Sequence, residues 1–262
     1  MSSANDNSHE AKRQAVREQR QRELKRQRTV RNVVIALIVV TALLVVAGGI
    51  WGSYKFYESL KPEDPAPVVQ PKSLDPQNPV LTVGAESGAP EVDVVLDFMC
   101  PFCGEFEKIN GKDLKELAEQ DKATVNFYIR TFLDEGGSTT DYSSRAASAA
   151  VCVYEESPDK FLEFQALLFE NQPTEGGPGL TDEQLKQYAK QAGGNADTLQ
   201  CVEDQRYQEW AKEHMEPNGA KKSRSTPSVF INGSVWGNTK QGPNWTQSGE
   251  LKKAIEAAPA AQ

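Results

Sequence analysis

The stretch VDVVLDFMCPFCGEFE, residues 92–107, decides the fold, because it joins an apolar run to two cysteines that are separated by two residues. Residues 92–98 are almost continuously apolar, which predicts a strand buried on both faces. The apolar residues that follow recur at helical spacing, at Phe102, Phe106 and Ile109. The pattern predicts a helix directly after the strand, with Cys103 in its first turn and Cys100 at or just before its start.

The position of the two cysteines at a helix start favours a redox-active pair. Unpaired backbone N–H groups and the helix macrodipole lower the pKa of a thiol there below its usual value of ~8.5. An exposed first cysteine then acts as a nucleophile, and a second cysteine one turn deeper can resolve the mixed disulfide that the first one forms. We therefore assign Cys100 as the nucleophile and Cys103 as the resolving thiol.

Two other interpretations of this pair stay open. A zinc site would require a second pair of this kind or two histidines, and the only histidines in the sequence are His9 and His214. An inert structural disulfide would more often join residues that are distant in sequence, and it would not explain the strand-to-helix setting. The redox-active pair is the favoured interpretation.

The remaining elements predict a mixed α/β domain. Short strands are predicted at VLTV (80–83) and TVNFYIR (124–130), and helical signals, with caps at Ser157 and Thr181, run from about residue 142 to 216. The Asn232-Gly233 pair between two apolar runs predicts a tight hairpin, and a last helix follows at ELKKAIEAA. This order resembles a thioredoxin-like fold with an inserted α-helical domain at about 139–222.

The N-terminal part of the chain predicts a membrane segment. VVIALIVVTALLVVAGGIWG, residues 33–52, contains no charged residue and spans roughly 30 Å as a helix, the thickness of a bilayer core. The tail before it carries nine basic and four acidic residues, so the positive-inside rule keeps that tail in the cytoplasm. A cleaved signal peptide is the alternative, but the apolar run is long and lacks an A-x-A motif, which favours an uncleaved anchor.

The predicted organisation has four parts. Residues 1–31 form a basic cytoplasmic tail, 32–52 the transmembrane signal anchor, 53–78 a proline-rich spacer, and 79–262 the folded domain. The protein is thus expected in the cell membrane as a single-pass protein with its folded domain outside the cytoplasm. Beyond Arg31 the net charge is about −13, which argues against the folded part as a nucleic-acid binder.

The motifs FMCPFCGEFE and RSTPSVFINGSVWG are similar to those of the DsbA-like thiol-disulfide oxidoreductases, in particular the membrane-anchored forms of actinobacteria. The resemblance covers roughly residues 79–258. It implies that Pro227 is a cis-proline and that Thr226, beside it, pairs with an extended substrate peptide as an added strand. Pro101 and Phe102, between the cysteines, are expected to contact substrate. The best-known relative has histidine at the position of Phe102, and phenylalanine cannot donate a hydrogen bond to the thiolate.

Three carboxylates lie close to the cysteines in sequence. Asp97 could tune the thiols or relay a proton, and it could equally be a strand-end residue with a hydrogen-bonding role. Glu105 and Glu107 are expected to be solvated charges of the helix.

A second cysteine pair lies in the helical block. The resemblance implies that Cys152 and Cys201 form a structural disulfide, as some actinobacterial members of the family carry one there. All four cysteines follow the predicted anchor, in the compartment where disulfides persist.

The expected function is the introduction of disulfide bonds into reduced, unfolded secreted proteins through the Cys100–Cys103 pair. No metal or organic cofactor is expected, and the family implies a quinone-coupled membrane partner that reoxidises the pair. The alternatives are a disulfide reductase or isomerase, and a non-catalytic peptide-binding or chaperone-like module.

Overall fold

The computed structural model of the protein describes residues 3–59, 68–237 and 245–261, and the chain divides into two units, residues 1–66 and 67–262. The first unit is the helix α1 (Ser3–Ser59). Its section Lys25–Tyr57 is long and apolar enough to cross a membrane. The described helix continues past the predicted anchor, residues 32–52, at both ends.

The second unit is built on a five-stranded mixed sheet. Its strands are β1 (Leu81–Gly84), β2 (Glu91–Leu96), β3 (Thr124–Ile129), β4 (Ser228–Ile231) and β5 (Ser234–Trp236), in the spatial order β1-β3-β2-β4-β5. β2 and β3 are parallel, and the other neighbours are antiparallel. The central strand β2 is buried along nearly its whole length, which explains why its sequence is mostly apolar.

Helices cover this sheet and fill the segment between β3 and β4. α2 (Pro101–Glu119) follows β2, and α9 (Glu250–Ala257) packs against α2. Between β3 and β4 lie α3 (Tyr142–Glu156), α4 (Pro158–Glu170), α5 (Asp182–Gln191), α6 (Ala196–Glu203), α7 (Gln208–Trp210), a π-helical turn (Ala211–Met215) and α8 (Glu216–Lys222). This is the α/β fold with an α-helical insertion that the sequence predicts.

The predicted local signals are found with one exception. Thr181 and Gln184 form the capping box of α5. Ser157 precedes Pro158 at the start of α4, but its side chain makes no capping hydrogen bond. The Asn232-Gly233 turn has both residues at positive φ, 47° and 75°, as a tight hairpin of twisted strands requires.

The end of the predicted spacer, residues 53–78, needs a correction. The backbone N–H groups of Lys72 and Ser73 donate to the Glu155 carboxylate of α3, and Leu74 is only 5% exposed. A proline-rich composition predicts extended backbone, and extended backbone can still contact a neighbouring helix. The described segment from residue 68 onward therefore belongs to the folded unit, residues 53–59 belong to α1, and residues 60–67 lie outside the described part of the chain.

Candidate active site

Cys100 lies where β2 leads into α2. It is the residue just before the first helical turn, and Pro101 is the first helical residue, where a missing N–H costs nothing. The N–H groups of Cys103 and Gly104 donate to the Cys100 carbonyl at 3.0 and 3.2 Å. These bonds close the first turn and place Cys103 deeper, at 1% exposed against 6% for Cys100. Cys100 is therefore itself buried, and the expectation of an exposed first cysteine was wrong.

Strand pairing brings Thr226 and Pro227 to Cys100. β4 is antiparallel to β2 with Ser228 opposite Val95, so the residues just before β4 lie at the end of β2 that leads to the cysteines. The Thr226–Pro227 peptide bond is cis. The Cys100 thiol points to the Thr226 carbonyl oxygen, with the sulfur 3.8 Å away. Two distant chain segments thus form one site.

The surroundings of Cys100 stabilise its thiolate. Its pKa is lowered from the ordinary 9.0 to about 6, and the largest cause is a hydrogen bond from the Cys103 thiol. The Thr226 side chain and the N–H groups of Cys103 and Phe102 lower this pKa further, while burial opposes them. At neutral pH the Cys100 sulfur is therefore mostly a thiolate.

Cys103 has the opposite electrostatic character. Burial raises the pKa of its thiol well above the ordinary value, and the hydrogen bond to Cys100 and the charge there raise it further. The pair thus combines a thiolate with a protonated thiol one helical turn away. Thiol–disulfide exchange uses this division, in which one sulfur is ionised and attacks while the second stays a protonated thiol.

Asp97 is fully buried next to the loop that carries Cys100. One oxygen accepts from the Met99 N–H at 2.8 Å and from the Ser143 hydroxyl at 2.7 Å, and the other accepts from the Leu133 N–H at 3.3 Å. Burial raises the Asp97 pKa to about 7 although these hydrogen bonds oppose it, and the charge at Cys100 adds to the rise. Asp97 therefore titrates near neutral pH.

Pro101 and Phe102 lie on the surface at the start of α2. The Phe102 side chain is 61% exposed, an unusual position for a large aromatic residue in this domain. An exposed phenylalanine beside a reactive sulfur offers apolar surface to a bound polypeptide.

The expectation for Glu107 was wrong, whereas Glu105 is exposed as expected. Glu107 is half-buried between α2 and α4 and accepts a hydrogen bond from Gln165 at 3.0 Å. Burial raises the Glu107 pKa to about 7. The sequence pattern could not reveal this, because α4 covers the α2 surface only in the folded domain.

Sequence reasoning also missed Gln172, in the loop after α4. Its side-chain N–H groups donate to the carbonyl oxygens of Phe98 and Cys100 at 3.1 and 2.8 Å. No motif marks this glutamine, which lies 72 residues after Cys100.

Cys152 and Cys201 form a disulfide that joins α3 to α6, with their Cα atoms 5.8 Å apart. Cys100 and Cys103 are both free thiols. A zinc site would need a cluster of ligands, and no group of three or more His, Cys, Asp or Glu residues in the described ranges is placed to hold a metal ion.

Comparison with known proteins gives a family and several relatives. A family profile described as thioredoxin matches residues 77–256. The oxidised DsbA of Mycobacterium tuberculosis is 27% identical, with a TM-score of 0.56, over 69% of this chain and 94% of that one. MdbA of Corynebacterium diphtheriae, a thiol-disulfide oxidoreductase, is 25% identical, with a TM-score of 0.53, over 68% of this chain and 92% of that one.

A further relative is a longer protein, of which the chain matches only a part. The serine/threonine-protein kinase PknE of Mycobacterium tuberculosis is 27% identical over 129 residues, which are 48% of this chain and 23% of the kinase. The chain thus matches under a quarter of that relative. The family match covers most of the folded unit, so the chain belongs to the thioredoxin family, and its fold is similar to those of DsbA-type thiol-disulfide oxidoreductases.

Proposed function

We propose that the protein introduces disulfide bonds into secreted proteins outside the cytoplasm, through the Cys100–Cys103 pair. The observation that carries this proposal is the pairing of a stabilised Cys100 thiolate with a buried, protonated Cys103 next to the Thr226 carbonyl. A stabilised thiolate favours the dithiol form of the enzyme. An enzyme whose reduced form is stabilised gives up its disulfide readily, so it acts as an oxidant.

The proposed reaction has two exchange steps. A substrate thiolate attacks the Cys100 sulfur of the Cys100–Cys103 disulfide, the enzyme's S–S bond breaks, and Cys103 leaves and takes up a proton. The second substrate thiolate then attacks the substrate sulfur of the mixed disulfide, and Cys100 leaves as a thiolate. The substrate loses two electrons and gains a disulfide, and the enzyme becomes a dithiol.

The proposed substrate contact is the backbone before Pro227. Pro227 has no N–H of its own, so it cannot compete for hydrogen bonds with the exposed edge at Thr226. An extended substrate segment could pair there as an added strand, with its cysteine directed at Cys100. Pro101 and Phe102 would then contact the neighbouring substrate side chains.

The proposed location is the outer face of the cell membrane, with α1 as an uncleaved single-pass anchor. The section Lys25–Tyr57 is suited to span a bilayer, and the excess of basic residues before it favours a cytoplasmic N-terminus. Catalytic turnover then requires an oxidant, for which the family resemblance implies a quinone-coupled membrane protein. In intact cells a membrane-impermeant maleimide should label reduced Cys100, and protection of Cys100 until lysis would contradict the orientation.

The experiment that tests the function is refolding of a reduced secreted protein, such as ribonuclease, with the oxidised full chain. We expect the wild type to form substrate disulfides and Cys100→Ser to form none. Cys103→Ser should also form none, because it lacks the Cys100–Cys103 disulfide that is transferred to the substrate. Continued substrate oxidation by Cys100→Ser would contradict the catalytic assignment. Equal folding yields with wild type and Cys100→Ser in an oxidising glutathione buffer would favour the non-catalytic peptide-binding module.

The direction of the reaction is tested by the equilibrium of the pair with glutathione. A reduction potential near that of thioredoxin, about −270 mV, would favour a reductase, and one nearer about −120 mV supports an oxidase. Insulin reduction and the repair of a scrambled substrate, measured beside it, distinguish reductase and isomerase activities.

A further inference from the structure

Gln172 connects the helical insertion to the cysteine loop. α4 ends at Glu170, and Pro173 follows Gln172, so the chain leaves the helix there. The Gln172 carboxamide then turns toward the site and donates to the carbonyl oxygens of Phe98 and Cys100 at 3.1 and 2.8 Å. One side chain thus bridges both ends of the turn that leads from β2 into α2.

Gly104 makes room for this side chain. A Cβ atom added at Gly104 would lie 2.1 Å from the Gln172 side-chain oxygen and 2.9 Å from its carboxamide carbon. Both distances are far below van der Waals contact, so any side chain at position 104 would displace the carboxamide. Because Gly104 is in a regular helix, its backbone conformation does not require glycine. The close approach of the Gln172 side chain explains why position 104 is a glycine.

A ring contact holds the end of α4 in place. Phe169 packs against Phe98 with ring centroids 5.5 Å apart, and both side chains are buried. Phe98 therefore contacts this segment twice. Its ring packs against Phe169 at the end of α4, and its carbonyl oxygen accepts the hydrogen bond from Gln172.

We propose that Gln172, admitted by the missing side chain at Gly104, is a positioning residue that orients the Cys100 carbonyl and the first turn of α2 around the reacting sulfur. The proposal deepens the proposed function and rests on Cys100 as the reacting residue. Gln172 acts through the backbone, by its hydrogen bond to the Cys100 carbonyl oxygen.

The physical consequence follows from the donors around Cys100. The Cys103 N–H lies between two acceptors, since it donates to the Cys100 carbonyl at 3.0 Å and also helps to stabilise the Cys100 thiolate. Gln172 donates to that same carbonyl oxygen at 2.8 Å, which fixes the carbonyl and, with it, the first-turn N–H groups that stabilise the thiolate. Without this bond the turn can rotate, the thiolate loses donors, and its pKa rises.

The test uses Gln172→Met, Gly104→Ala and the double variant in the full-length protein. Methionine keeps the length of the side chain without its N–H donors, and alanine at 104 displaces the carboxamide while favouring the helix. The readouts are the pH dependence of iodoacetamide alkylation at Cys100, followed by mass spectrometry of its peptide, and the equilibrium with glutathione. Each single variant should lower the alkylation rate at pH 5 on the order of threefold, as the thiolate fraction falls.

The double variant identifies the mechanism. If Gly104 matters only because it admits Gln172, the double variant should match either single variant, with no added shift in alkylation or in the glutathione equilibrium. Wild-type alkylation in Gln172→Met, or shifts that add in the double variant, would overturn the proposal. A purely structural tie would lower thermal stability and leave both readouts unchanged.

Failure here is distinguishable from failure of the proposed function. Alkylation and the glutathione equilibrium need no protein substrate. They therefore measure the effect of Gln172 on Cys100 whether the enzyme oxidises or reduces its substrates. Substrate oxidation by Cys100→Ser would contradict the proposed function itself. If Gln172→Met does not fold, Gly104→Ala displaces the same carboxamide and answers the question.

Discussion

The sulfur of Cys100 lies 3.8 Å from the carbonyl oxygen of Thr226, a residue 126 positions later in the chain. β4 creates this contact by pairing with β2, so the reactive sulfur and the backbone edge before Pro227 share one surface. The low pKa of Cys100 depends on both chain segments, because the Cys103 thiol and the Thr226 side chain each stabilise its thiolate.

Replacement of Cys103 should show how much of the Cys100 pKa depends on the thiol hydrogen bond. Cys103→Ala removes the donor that lowers this pKa most, so the alkylation midpoint should move upward from about 6. Cys103→Ser keeps a hydroxyl donor and serves as the matched control, with a smaller shift. Equal midpoints in the two variants would show that the helix start dominates instead.

The reduced protein should become less stable in acid through Cys100. The folded-state pKa lies below the ordinary 9.0, so the contribution to the free energy of unfolding is fully present above about pH 9 and is lost as pH falls through about 6. The oxidised protein has no such thiol. Denaturation of both forms between pH 5 and 9 should therefore show a difference that changes across this window, and parallel curves would contradict the assignment.

Phe102→His should make the enzyme a stronger oxidant. A histidine there could donate a hydrogen bond to the Cys100 thiolate, and bonds to charged groups contribute about 1.5 to 3 kcal/mol. Since 1.4 kcal/mol corresponds to about 30 mV, the reduction potential should rise by roughly 30 to 65 mV. Phe102→Leu, which cannot donate, is the control, and an equal rise in both variants would rule out the hydrogen bond as the cause.

Asp97→Asn should remove a component of the pH dependence of stability. The Asp97 pKa is raised from 3.8 to about 7, so between these values the folded state binds more protons, and the free energy of unfolding falls as pH rises. Asparagine cannot titrate and should lack this slope. Ser143→Ala removes the hydrogen bond that opposes the rise most, so its slope should extend to higher pH. An unchanged slope in Asp97→Asn would assign it to another group.

Removal of the Cys152–Cys201 disulfide should lower stability and leave the redox site unchanged. The bridge closes a loop of 49 residues, which the loop-entropy model values at about 4 kcal/mol. The double serine variant should show that loss in chemical denaturation, with the potential of Cys100–Cys103 unchanged. A shifted potential would mean that the helical insertion depends on the bridge to hold the site.

Local sequence determined the elements of this protein. The apolar run of β2, the helical spacing after Cys103, the Asn232-Gly233 turn and the capping box at Thr181 each depend on neighbours within a few residues. The same local pattern placed Cys100 at the start of a helix. Backbone and burial preferences of this kind depend on residues that are close in sequence, so a sequence pattern can predict them.

Only the tertiary structure decided which of these elements meet. The contact of Cys100 with Thr226, the carboxamide of Gln172 on the cysteine turn, and the burial of Glu107 against α4 all join residues far apart in sequence. Such contacts depend on strand pairing and helix packing across the whole domain, which no local periodicity encodes. The same packing raises the pKa values of Asp97 and Glu107 by burial, whereas at Cys100 it adds burial and the Thr226 side chain to the local donors of Cys103 and Phe102.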